Sequence, residues 1–141
     1  VTGFGLLGHS YEMAQGSGCT LHLQADQVPY HPEALEFADM GLVPAGAYRN
    51  RDYAQPGVRV CREIPLALED IFYDPQTSGG LLIALPAEAA GAGETWPPAP
   101  FINCANAGFL CWFWRSPRPQ PSGGTWLSRK LCIRAPNRWR M

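Results

Sequence analysis

The chain has 141 residues, room for one ordinary domain and short of two. Apolar types make up 46% and charged types only 16%, which supplies the material of a core and excludes disorder along the whole length. The formal net charge of −1 neither favours nor excludes a polyanionic partner, but it conceals a division. Residues 1–91 carry eleven acidic side chains against four arginines, together with all three histidines. Residues 92–141 carry Glu94 against six arginines and Lys130, together with all five tryptophans. Such asymmetry marks an appended unit, so one domain is expected over 1–91 and a separate tail over 92–141.

The opening VTGFGLLGHS has neither an initiator Met nor a basic leader region, so the chain reads as an internal piece without a signal peptide. Its longest uncharged apolar stretch, Phe101 to Trp114, is too short for a bilayer of about 30 Å, and no membrane span is expected. Five scattered cysteines without a C-x-x-C pair argue against a zinc site and for reduced thiols in a cytoplasmic protein.

Thr2 is expected to cap a first helix, whose apolar face is Phe4, Leu7, Tyr11 and Ala14 and whose end is Gly16-Ser17-Gly18. Cys19 to Gln24 alternates apolar and polar residues and predicts a half-buried strand. A short helix is expected from Pro32 to about Met40, stopped by Gly41. Leu42 to Gln55 reads as a loop, broken by Pro44 and Gly46. Val58 to Arg62 predicts a second strand, and Leu66 to Phe72 is ambiguous, with a short helix as one reading. After an Asp74-Pro75 turn, the apolar run Leu81 to Leu85 predicts a strand buried on both faces, and Pro86 to Ala90 the start of a helix. Alternating helices and strands give a mixed α+β class.

Three segments are candidates for chemistry. The glycines of VTGFGLLGH let a backbone or an anion approach the start of a helix, although the spacing is not that of a dinucleotide fingerprint. Arg49-Asn50-Arg51 places two guanidinium forks in the expected loop, a pattern suited to phosphate oxygens and equally to a solvated surface. In Asp74-Pro75-Gln76-Thr77-Ser78-Gly79-Gly80, hydroxyls adjoin unshielded backbone N–H groups, the material of an anion nest or of a plain turn. The lysine of a phosphate-binding P-loop is missing. His9 and His22 have no carboxylate or cysteine at triad-like or ligand-like spacing, so no catalytic role is expected for either. Cys19 and Cys61 are expected to be core thiols.

Taken in order, VTGFGLLGH, VPAGAYRNR and DPQTSGGLLIALP resemble blocks in the C-terminal half of selenide, water dikinase, the selenophosphate synthetase family. The resemblance runs from Val1 to about Ala90. It implies part of an aminoimidazole ribonucleotide synthetase-like C-terminal domain, incomplete here. It also implies an ATP-dependent, magnesium-assisted phosphoryl transfer in which selenide, ATP and water give selenophosphate, orthophosphate and AMP. In that family the chalcogen-handling group and most metal-binding aspartates belong to an N-terminal domain, through which the protein dimerises.

Carried over residue by residue, the resemblance assigns no catalytic residue and no metal ligand to this chain. It implies that Thr2 and Gly3 lie beside a metal ligand preceding Val1. It also implies that Asn50, Arg51, Thr77, Ser78, Gly79 and Gly80 face the nucleotide cleft. Past Gly91 the family pattern stops, and residues 92–141 show no periodicity. They read as foreign to the fold or disordered, most simply an out-of-frame or misjoined continuation, leaving a sheet short of its last strand. Two other functions are weighed. One is a related aminoimidazole ribonucleotide synthetase-like ligase acting on a formylglycinamide-type substrate. The other is a nucleic-acid-binding module using the basic, tryptophan-rich tail, which Pro117, Pro119 and Pro121 disfavour.

Overall fold

The computed structural model describes residues 1–60, 63–86, 101–105, 109–114 and 130–134. The first helix, α1 (Gly5–Ser17), starts from a glycine at φ +69°, a conformation that side chains disfavour. That turn brings the Thr2 carbonyl, at 3.0 Å, onto the Gly5 N–H. The expected Thr2 cap is therefore corrected: Phe4 holds the N-cap position, and no side chain caps the helix. A Cβ on Gly5 would also lie 2.8 Å from the Tyr73 carbonyl carbon and oxygen, so α1 begins hard against another helix end. Leu7, Tyr11 and Ala14 point inward as their spacing predicts, while Phe4, 45% exposed, lies outside the core. Gly18, in the left-handed region at φ +61°, closes the helix.

Strand β1 (Thr20–Gln24) follows with Leu21 and Leu23 buried, as the alternation requires. After a 3-10 turn (Ala25–Gln27), α2 (Pro32–Asp39) forms at the predicted place, but none of its side chains is fully buried. The segment expected as a loop contains a helix, α3 (Ala45–Ala54). Pro44 is its N-cap residue, so the proline starts this helix rather than breaking it. A 3-10 turn (Gln55–Gly57) leads into β2 (Val58–Val60), and Cys61 and Arg62 of the predicted strand lie outside the described residues. The ambiguous segment is helical, α4 (Leu66–Tyr73), entered from Pro65 with Leu68 and Phe72 buried.

Strand β3 (Leu81–Pro86) corrects a second expectation. Among the described residues it lies at the end of the sheet, antiparallel to one neighbour, with Leu81 54% exposed, rather than buried on both faces. An uninterrupted apolar run fits an edge as well as a centre, because no period distinguishes the two. Pro86 is its last residue, and the helix expected beyond it lies outside the described residues.

The aperiodic segment after residue 92 also contains regular structure: β4 (Phe101–Ala105), β5 (Phe109–Trp114) and β6 (Lys130–Arg134). Apolar and aromatic runs need a free strand edge more than an alternating pattern, and β1 offers two. The sheet order is β2-β6-β1-β4-β5-β3, with every pairing antiparallel. Thr20 pairs with Arg134 on one side and Ala105 on the other. The core lies where α1, α3 and α4 meet β1 and β6, with Leu7, Leu21, Leu23, Phe72, Leu131 and Ile133 almost wholly buried. Burial of each such side chain stabilises by roughly 1.5–3 kcal/mol.

Candidate functional site

The loop between α4 and β3 is held by the first residues of the chain. The Gln76 N–H donates to the Thr2 carbonyl and the Gly79 N–H to the Val1 carbonyl, each at 3.1 Å. The Val1 nitrogen donates to the Gly80 carbonyl at 2.7 Å. A Cβ on Gly79 would overlap the Val1 carbonyl oxygen, so the pairing is close enough to require glycine there. Beside this double strand lies an open groove of about 750 Å³. Its lining includes the small residues Ser78, Gly79 and Gly80, the carboxyl groups of Asp70 and Asp74, and the apolar Phe37 and Leu42.

Of the residues expected to face a nucleotide, Ser78, Gly79 and Gly80 are brought to the groove. Thr77 is exposed and does not line it. Thr2 and Gly3 are exposed on the adjoining stretch, where Thr2 contacts the loop through its carbonyl.

Asn50 and Arg51 lie on α3, not in a loop, and neither lines the groove. Asn50 is buried and donates both amide hydrogens, to the Gly3 carbonyl at 2.9 Å and the Tyr73 carbonyl at 2.8 Å. Arg51 Nη2 sits 2.8 Å from Asp70 Oδ1 and 3.8 Å from Glu69 Oε1, a charge contact without an aligned hydrogen bond. Its guanidinium also stands 5.2 Å from the Tyr73 ring centroid. Both side chains thus join α3 to α4, and Arg51 does so through Asp70, which lines the groove. Arg49, the other guanidinium of the motif, is exposed.

Burial pushes the Asp74 carboxyl above its usual range, and a hydrogen bond from Gln76 Nε2 partly opposes that. Burial, then the Glu69 charge, raises the Tyr73 phenol well above its ordinary value against the pull of Arg51. A bound polyphosphate would meet the Asp70 and Asp74 carboxylates, so it needs cations to bridge them. Among the described residues no three His, Cys, Asp or Glu side chains converge on a point, so they do not by themselves make a magnesium site. For a nucleotide the fit is better, since the lining combines small residues with apolar surface.

Outside the groove, the structure assembles a cluster that sequence spacing did not show. Thr2 Oγ1 lies 3.0 Å from His9 Nε2, and His9 Nδ1 lies 3.3 Å from Glu12 Oε2. Phe4 meets the His9 ring edge-on and stacks on Tyr53. The available signal was the three-residue separation of His9 and Glu12, which places them on one helix face.

Comparison with known proteins agrees with this architecture. Residues 1–95 match the family described as AIR synthase related protein, C-terminal domain. The chain belongs to that family. Among its curated relatives, selenide, water dikinase 2 of Peptoclostridium acidaminophilum is 51% identical over 92 residues, covering 65% of this chain and 26% of that protein. Selenide, water dikinase of Pelobacter propionicus is 53% identical over 105 residues, 74% of this chain and 30% of the relative. That of Treponema denticola is 48% identical over 92 residues, 65% and 26% respectively. The chain therefore spans about a quarter to a third of these relatives' length. As an AIR synthase related C-terminal domain it has the expected mixed α+β class, and no helix among the described residues is long and apolar enough to cross a membrane.

Proposed function

We propose that the chain is part of a selenophosphate synthetase that uses ATP and water to convert selenide into selenophosphate, AMP and orthophosphate. Roughly half-identity to selenide, water dikinases over the segment that builds the groove carries this reading. Ser78, Gly79 and Gly80 let the phosphates approach the backbone closely, the Gly79 N–H being already given to the Val1 carbonyl, with Thr2, Gly3 and Thr77 on the adjoining surface. Asn50 and Arg51 keep that wall in place. Magnesium is required to screen the phosphates from Asp70 and Asp74, and its ligands come largely from a preceding domain, as does the group that handles selenide. Residues 1–91 form the family domain, and 92–141 are a continuation foreign to it. The complete enzyme is a cytoplasmic homodimer with no membrane or nucleic-acid partner.

The test is a chimera in which residues 1–95 replace the matched segment of the Pelobacter propionicus relative. Selenide-dependent conversion of labelled ATP to AMP is expected from the chimera and none from the 141-residue chain alone. A folded chimera that consumes no ATP in the presence of selenide refutes the proposal. So does selenide-dependent ATP consumption by the isolated chain.

A further inference from the structure

His9 takes no part in the groove, yet its ring is held on three sides. Glu12 Oε2 stands 3.3 Å from Nδ1, Thr2 Oγ1 stands 3.0 Å from Nε2, and the Phe4 ring meets it edge-on at 5.6 Å. A neutral ring with its proton on Nδ1 satisfies both polar contacts at once. It donates to the Glu12 carboxylate and accepts the Thr2 hydroxyl proton at Nε2. Hydroxyl, imidazole and carboxylate in that order make Nε2 a proton acceptor, because the carboxylate fixes the tautomer and stabilises the imidazolium that forms. The His9 side chain is 28% exposed and Thr2 is exposed, so the hydroxyl end is open to water.

The position of the cluster ties it to the groove. Thr2 receives the Gln76 N–H on its carbonyl, and Val1, the preceding residue, lines the groove. One short stretch of backbone therefore serves both. The start of α1 lies beside it, and the positive end of a helix dipole favours the negative charge that builds up during phosphoryl transfer.

We propose that Thr2, His9 and Glu12 form the proton relay for the water-consuming half of the reaction, an inference that rests on the function proposed above. One ATP yields AMP, selenophosphate and orthophosphate, so two phosphoanhydride bonds break, one to selenide and one to water. In the water step, a water oxygen attacks the β-phosphorus of the ADP left by the first transfer. The bond from that phosphorus to the bridging oxygen breaks, and AMP departs with the electron pair. The water proton passes to Thr2 Oγ1 as the hydroxyl proton moves to His9 Nε2, and solvent then takes it from the imidazolium.

The chimera described above provides the test, with ATP, ADP and AMP separated after rapid quenching. In His9→Gln, selenide-dependent cleavage of ATP continues, while AMP formation falls by about 10²-fold or more and ADP accumulates. Thr2→Val, which keeps the shape without the hydroxyl, behaves the same way, and Thr2→Ser restores the normal AMP yield. A product ratio unchanged in His9→Gln overturns the relay, as does equal loss of both cleavages in a folded variant, which assigns His9 a purely structural role. An unsubstituted chimera that folds but consumes no ATP with selenide refutes the underlying function, and the relay with it.

Discussion

Replacing Asn50 with alanine removes the side chain that ties together the start of α1 and the end of α4. Its amide donates to the Gly3 carbonyl just ahead of α1 and to the carbonyl of Tyr73, the last residue of α4. The Tyr73 bond is buried and the Gly3 bond only partly so. Loss of the second therefore costs about 1 kcal/mol, since water replaces the donor, while loss of the first leaves an acceptor stranded at about 1–3 kcal/mol. The expected destabilisation is thus about 2–4 kcal/mol, read as a lower urea midpoint at unchanged slope when the 141-residue chain is followed by circular dichroism. Asn50→Asp separates lost hydrogen bonding from lost packing. At neutral pH a carboxylate would place two acceptors against two carbonyl oxygens, so this variant is expected to be less stable than Asn50→Ala. Its carboxyl is easier to protonate folded than unfolded, so the penalty is full at neutral pH and shrinks as acid supplies a donating O–H. An Asn50→Ala variant within about 0.5 kcal/mol of the parent, smaller than the cost of any buried hydrogen bond, refutes the reasoning. So does an Asn50→Asp variant at least as stable as Asn50→Ala at pH 7.

Gly5→Ala should cost more than the roughly 1–2 kcal/mol of left-handed backbone alone, because the added methyl also meets the Tyr73 carbonyl. Urea unfolding measures it, and a loss under about 1 kcal/mol argues against the close approach. The raised Tyr73 phenol stays protonated in the folded chain while the unfolded chain ionises near pH 10, so its contribution is full below that pH and declines above it. Tyr73→Phe should therefore lose less stability than the parent between about pH 10 and pH 12, measured by unfolding at each pH. Asp74 is also raised, which means that its ionised form disfavours folding and that stability falls as pH rises through its folded value. Asp74→Asn should be more stable than the parent at neutral pH, with the difference closing in acid. A constant difference across the range argues against burial as the cause.

Elements marked by a clear apolar period or by a proline or glycine at an end were legible in the sequence, whereas α4 stayed ambiguous despite the buried Leu68 and Phe72. The faces of α1 and β1, the proline start of α2 and the left-handed Gly18 all follow from local pattern. Helix α3 was not legible because its inward face is Ala47, Asn50 and Ala54. Those residues have helical spacing, but two methyl groups and an amide register as no apolar stripe. The same gap affected the site. The loop from Asp74 to Gly80 showed its turn chemistry locally, and Ser78 to Gly80 do reach the groove. The roles of Asn50 and Arg51 depend on partners that α3 and α4 bring together only on folding, such as Tyr73 and Asp70. The pairing of His9 with Thr2 depends on the chain turning back at Gly5, a dihedral angle that sequence spacing does not show.

The family match ends at residue 95, whereas both neighbours of β1 come from beyond it. Cutting the chain after residue 95 would expose both edges of β1 and remove Leu131 and Ile133 from the core. Those two side chains alone account for about 3–6 kcal/mol of burial, a large fraction of the roughly 5–15 kcal/mol that holds a domain folded. Residues 1–95 by themselves are therefore expected to unfold or to associate through the exposed edges, detectable by circular dichroism and light scattering. A folded, monomeric 1–95 piece would show that the helices hold β1 without strand partners. In the chimera the relative's own sequence follows residue 95, so a folded product there means that β1 accepts different strands on its edges. If the truncated chain fails and the chimera folds, the sheet requires partners for β1 but not the particular sequence of β4 and β6. That outcome fits a continuation that is foreign in origin yet occupies the strand positions left open by the family domain.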